Sequence, residues 1–142
     1  MKKIALLGLF LVTLVMGCKD DNEEMTPDTL VTATLAGSAE VPANVSTSTG
    51  KVDGTFNEET KILMLNITYT GFTPVAWHIH KAAAGTNGGV IFNIGTTFSS
   101  PFMYMQTLNA EQEADLKAGL YYVNLHSVTY PNGEIRGQLR VN

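Results

Sequence analysis

Ala76-Trp77-His78-Ile79-His80-Lys81 is the stretch from which the fold of this chain can be read. In an extended strand, residues i and i+2 point to the same face. His78 and His80 then share one face while Trp77 and Ile79 share the other. One side offers imidazoles to a polar environment, and the other offers a large aromatic and a β-branched side chain to a core.

A second stretch has the same character. Tyr121-Tyr122-Val123-Asn124-Leu125-His126 places Tyr122, Asn124 and His126 on one face and Tyr121, Val123 and Leu125 on the other. His78, His80 and His126 are the only histidines in the chain, so if the polar faces of the two strands meet, every imidazole converges. Three neutral imidazoles on rigid strands form a nitrogen donor set suited to copper or zinc. The alternative is a hydrogen-bonded histidine cluster, involving Asn124 and a nearby carboxylate, that stabilises the sheet without an ion.

The rest of the chain reads mostly as strands. Leu30 to Leu35 alternates, with Val31, Ala33 and Leu35 on the apolar face. The prolines and small polar residues from Ala39 to Gly50 predict a loop. Residues 51–69 read as a β-hairpin, with Val52 and Phe56 and then Leu63, Leu65 and Ile67 facing the core. Ala82 to Gly89 is too glycine-rich to hold a helix and predicts a loop overhanging His80. Val90 to Ile94 is a short strand, and Phe98, Phe102, Tyr104 and Leu108 are available as further core or as a partly exposed aromatic edge. Asn109 as N-cap, Gln112 in the capping-box position and Gly119 as terminator predict one short helix over Ala110 to Lys117. After the Pro131-Asn132-Gly133 turn, a last strand places Ile135, Gly137, Leu139 and Val141 opposite Glu134, Arg136, Gln138 and Arg140. The fold class expected is all-β, an antiparallel β-sandwich or flattened Greek-key barrel with one short helix. Asn124, Glu134 and Arg136 are expected to lie around the histidines and orient them.

The N-terminus carries an address rather than a fold. Lys2 and Lys3 precede an apolar run from Ile4 to Met16 that is short for a membrane span. Residues 1–17 therefore read as a signal peptide, and residues 29–142 as a single domain. Cys18 is the only cysteine, so no internal disulfide can form. Leu14-Val15-Met16-Gly17-Cys18 resembles the lipobox of bacterial lipoproteins, which implies that Cys18 is lipidated and that the chain is held at a lipid membrane. Residues 18–28 are polar and acidic and read as a tether. Lys19-Asp20-Asp21 resembles the signal that sends lipoproteins of Bacteroidetes-type bacteria to the outer face of the outer membrane. The localisation expected is thus the bacterial cell envelope, in the outer membrane and surface-exposed.

Charge and motifs exclude several function classes. Without Lys2 and Lys3 the 9 basic residues fall to 7 against 13 acidic ones, and the acidic excess sits mostly in the tether. Nothing is basic enough to hold a nucleic acid. There is no G-x-S-x-G elbow, and the glycines of Ala82 to Gly89 lack the spacing of a nucleotide-binding loop. No catalytic residue is assigned.

Five blocks in order, A-E-V-P at 39–42, A-W-H-I-H at 76–80, N-G-G-V-I-F at 87–92, G-L-Y-Y-V-N-L-H at 119–126 and G-E-I-R-G-Q-L at 133–139, resemble the CHRD domain. That domain is named after the extracellular protein chordin and is also common in secreted bacterial proteins. The resemblance implies a β-sandwich outside the cytoplasm and no general enzymatic activity. The histidine motif is also similar to that of copper,zinc superoxide dismutases, where an H-x-H strand and a later histidine hold copper; this would correspond to His78, His80 and His126. The chain lacks a bridging histidine, a zinc loop and a disulfide pair. The function expected is a non-enzymatic envelope lipoprotein whose CHRD-like module binds an envelope protein or surface polymer. The alternative is a mononuclear copper or zinc protein using the three histidines, with weak redox activity.

Overall fold

The computed structural model describes residues 28–142; the expected signal peptide, Cys18 and the expected tether up to residue 27 lie outside them. The strands are β1 (Thr29–Ala36), β2 (Thr49–Phe56), β3 (Ile62–Thr70), β4 (Ala76–Lys81), β5 (Gly89–Asn93), β6 (Phe102–Thr107), β7 (Tyr121–His126), β8 (Ile135–Gln138) and β9 (Arg140–Val141). A 3-10 turn spans Gly37–Ala39, and the one α-helix among the described residues, α1, spans Ala110–Lys117. The order in the sheet is β5-β4-β7-β8-β1-β2-β3-β6, with β9 also on β1, and the pairings are antiparallel.

The expected sandwich is realised as one curled sheet. Its two layers, β5-β4-β7-β8 and β1-β2-β3-β6, are continuous through β8 and β1, where Ala36 pairs with Arg136. The curl is driven by apolar burial. Trp77 of β4 meets Phe102 of β6 at 4.7 Å between ring centroids and Tyr69 of β3 at 6.0 Å, although these strands lie toward opposite ends of the sheet. Its indole nitrogen donates to Gly95 O at 3.0 Å, so the polar handle of the buried ring is satisfied. The expected core of Leu63, Leu65, Trp77, Ile79, Val123, Leu125, Ile135 and Leu139 is buried throughout.

Local chemistry fixes the connections. The β2–β3 hairpin keeps one register from Thr49↔Thr70 to Phe56↔Leu63, and Asn57 Oδ1 closes it by accepting from the Glu59 and Thr60 backbone nitrogens. Helix α1 begins at the expected capping box, with Asn109 Oδ1 accepting from Gln112 N and Gln112 Oε1 accepting from Asn109 N. It ends before Gly119, whose φ of +67° suits a glycine, and it lowers Leu116 into the core.

Three details differ from the sequence expectation. The loop after Ala39 ends at Ser48, because Thr49 and Gly50 already pair with β1 and β3. The last strand is interrupted at Leu139, where the chain leaves β8 and β9 continues on β1 alone. Most consequentially, all six residues of β7 are buried, including the polar face of Tyr122, Asn124 and His126. Two loops cover that face. Residues 40–48 are tied down by Asn44 and by the serines bonded to Glu134, and residues 82–88 are tied down by Arg136 and Gln138.

Candidate functional site

The register of β4 against β7 assembles the histidines. Ala76 lies opposite His126, His78 opposite Asn124, and His80 opposite Tyr122. Because Ala76 has only a methyl group, His126 has room to lean toward His78, and the two approach to 3.2 Å between His78 Nδ1 and His126 Nε2. One nitrogen from each of the three histidines lies within 4.8 Å of the others. His80 and His126 are buried, and His78 is half-buried at the open side.

Two backbone carbonyls set the tautomers. His80 Nδ1 lies 3.0 Å from Gly88 O, and His126 Nδ1 lies 3.0 Å from Pro131 O. A carbonyl only accepts, so both rings carry their proton on Nδ1 and leave Nε2 as a lone-pair donor. His126 Nε2 then accepts from His78, whereas His80 Nε2 is buried with no partner at all. Burial lowers the proton affinity of all three rings; for His78 and His126 neighbouring imidazoles add to this, and for His80 the Gly88 carbonyl opposes it while the Arg136 charge reinforces it. The cluster is therefore a set of neutral imidazoles near neutral pH.

The carbonyls are positioned by the residues around them. Tyr122 stacks on His80 at 4.8 Å with the rings within 6° of parallel, and the Arg136 guanidinium carbon sits 3.4 Å from the Tyr122 ring centroid. Arg136 also donates to Thr86 O and Asn87 Oδ1, while Tyr122 Oη accepts from Gly88 N at 3.1 Å. Gly88 passes so close to the Lys81 carbonyl that a Cβ would overlap it, so only glycine brings its oxygen to His80 this way. Arg136 thus acts on the imidazoles through Tyr122 and the 82–88 loop. Glu134 follows in register across from His126, but its carboxylate is held by serine hydroxyls. Its Oε1 accepts from Ser46 Oγ at 2.7 Å and Ser48 Oγ at 2.8 Å, and with Ser127 these hydroxyls outweigh burial and keep its carboxyl below the usual range.

Asn124 turns toward Glu40, to whose Oε2 its amide donates at 3.4 Å. In the sequence Glu40 stands in the A-E-V-P block and offers a carboxylate that could pair with Glu134; its place in the polar layer does not follow from a strand period, because a loop delivers it. Burial, opposed by the Arg136 charge and the Asn124 hydrogen bond, raises its pKa to about 7. Glu40 Oε1 and Asn124 Oδ1 are, with His80 Nε2, buried atoms lacking a partner. A groove of about 760 Å³ borders Glu40 and Arg136, with Lys51, Asp53 and Arg140 on its wall and no histidine.

In chemical terms the imidazoles fit a metal ion. The donor set is neutral, two of its rings already donate their second nitrogen to carbonyls as metal-bound histidines do, and one lone pair is buried with nothing to accept it from. Among the described residues their side-chain hydrogen bonds go to one another and to backbone carbonyls.

A curled antiparallel sheet with one short helix and a roofed polar layer defines a small all-β domain. The CHRD domain model matches residues 31–139, and the chain belongs to that family. No curated protein and no solved structure matches it.

Proposed function

We propose that this chain is an extracytoplasmic CHRD module, anchored to a bacterial envelope through lipidated Cys18, that holds one zinc or copper ion on His78, His80 and His126. The observation that carries the metal reading is the pair of backbone carbonyls: Gly88 O and Pro131 O fix the protons of His80 and His126 on Nδ1 and turn both Nε2 lone pairs toward the cluster. His80 Nε2 adds a buried lone pair that no protein group occupies. When bound, the ion supplies a charged centre that joins β4 to β7, with coordination positions beyond the three imidazoles left for water or a partner's side chain.

The test is metal analysis of untagged protein, followed by titration of wild type and His80→Ala with Zn²⁺ and Cu²⁺. One ion per chain, lost in the variant, supports the reading. Binding no tighter than about millimolar overturns it and leaves the histidines as structural or partner-binding residues. The anchor is tested separately, since Cys18→Ser abolishes lipidation and should release or mislocalise the protein. Unchanged detergent partitioning of Cys18→Ser refutes the anchor without touching the metal reading. Protease shaving of intact cells then distinguishes surface exposure from an inward-facing leaflet, and pull-down from envelope extracts by the metal-loaded chain tests for a protein or polymer partner.

A further inference from the structure

Residues 28–142 contain three methionines, Met64, Met103 and Met105, and the fold puts all of them on one patch of its outer surface. Methionine ordinarily fills gaps in cores; here the core has none. Met64 of β3 lies directly opposite Met105 of β6, and Met103 shares the face of Met105 two residues earlier, opposite Asn66. Met103 and Met105 are 54% and 56% exposed, and Met64 is half-buried between them and Thr55. Directly opposed residues on a sheet face have Cβ atoms roughly 5 Å apart and diagonal ones roughly 7 Å. Each sulfur rides on a flexible, unbranched arm, so the three can reach a common point above the strands.

Hard donors are scarce around that point. The cross-strand neighbours are Thr55 and Asn66, and the acid next along the row, Asp53, is paired with Lys51 at 2.7 Å. Because β6 is an edge strand, an ion can approach from solvent.

We infer that Met64, Met103 and Met105 form a thioether site for one soft monovalent metal ion, Cu(I) or its chemical analogue Ag(I). Thioethers select such ions over zinc and harder metals. They also have no proton to shed, so binding here is insensitive to pH, unlike binding to imidazoles. The site lies on β3 and β6, and the inference stands whether or not the histidines hold a metal. An apolar docking patch is the competing use of the surface, since Leu30 lies at the end of the same cross-strand row. A docking patch would draw on the flexibility of the methionine arms and would respond to a protein surface rather than to a soft metal ion, which the titration separates.

The experiment is Ag(I) titration of the full chain bearing Cys18→Ser and His80→Ala, which remove the one thiol and break up the imidazole set that would compete for Ag(I) at pH 7.5, read by NMR of ¹³C-labelled methionine methyl groups. The expected result is that the methyls of Met64, Met103 and Met105 shift together and saturate at one equivalent, equally at pH 5.5 and 7.5, with no shift on adding Zn²⁺. Met105→Leu conserves volume and leaves the fold intact. It should weaken binding by more than the roughly tenfold that losing an outer partner of a metal ligand costs. Methyls that stay unmoved, that shift independently of one another, or that respond to protein concentration rather than to Ag(I) overturn the proposal; the last result would mean that a second copy covers the patch.

Discussion

Replacing Glu40 by glutamine should make the protein more stable at pH 8 and almost unchanged at pH 4.5. The carboxyl is 8% exposed and its pKa rises from the ordinary 4.5 to about 7, chiefly through burial. Because the folded value lies above the unfolded one, the native state holds the proton more tightly. The stability contributed by Glu40 is then fully present below about pH 4.5 and is lost as pH rises to about 7. At about 1.4 kcal/mol for each tenfold change in proton affinity, the loss is about 3 kcal/mol at most, and on the order of 2 once residual solvent access is discounted.

The geometry gives a reason for the sign. Glu40 Oε1 and Asn124 Oδ1 are both unpartnered acceptors, lying 2.6 and 2.7 Å from the point a Cβ on Gly133 would occupy. A protonated carboxyl supplies a donor to this place and an ionised one does not. Glutamine supplies a permanent donor. The assay is urea unfolding of wild type and Glu40→Gln between pH 4.5 and 8 in the presence of chelator, comparing the two at each pH. The comparison matters because the histidines act in the opposite sense: with folded pKa values lowered, their contribution is full above about 6.5 and lost as pH falls. They cancel between the proteins. A difference in stability that stays constant across the range, or that grows toward acid, would refute the reasoning.

Three further outcomes are expected. Trp77→Ala should cost about 3–5 kcal/mol, seen as a lowered denaturation midpoint, because the indole bridges the two layers through Tyr69, Phe98 and Phe102. Gly133→Ala should cost about 1–3 kcal/mol, since its φ is +135° and an added Cβ presses on Glu40 and Asn124; thermal melts measure this. Tyr122→Phe removes the oxygen that accepts from Gly88 N, so hydrogen exchange should speed up at residues 82–88 while global stability falls by only about 1 kcal/mol.

Strand periodicity made much of this molecule legible, because one rule governs both the core and the histidine face. Trp77 and Ile79 enter the core for the same reason that His78 and His80 share the other side, and the partner register of β7 follows once two such strands pair. The helix was legible to the residue because its signals are local: Asn109, Gln112 and Gly119 each act within a turn. The burial of the polar face was not, because it depends on what lies over a sheet rather than on the sheet. Asn44, Ser46 and Ser48 read as loop residues, and only the fold shows their hydrogen bonds to the Gly133–Glu134 segment.

The same distinction explains the roles of Glu134 and Arg136. Their alternation correctly placed them beside the histidine strand, but the neighbours that orient the imidazoles are main-chain carbonyls of Gly88 and Pro131, and no side-chain pattern encodes a carbonyl. What the sequence does encode is the permission for those carbonyls to arrive. Gly88 lacks the Cβ that would strike the Lys81 carbonyl, and Gly133 takes a positive φ at the end of the turn that carries Pro131. The two glycines thus belong to the site as much as the histidines do: Gly88 lets the 82–88 loop bring its carbonyl to His80, and Gly133 shapes the β7–β8 turn whose Pro131 carbonyl meets His126. A substitution at either can disturb the cluster without altering any atom of a histidine.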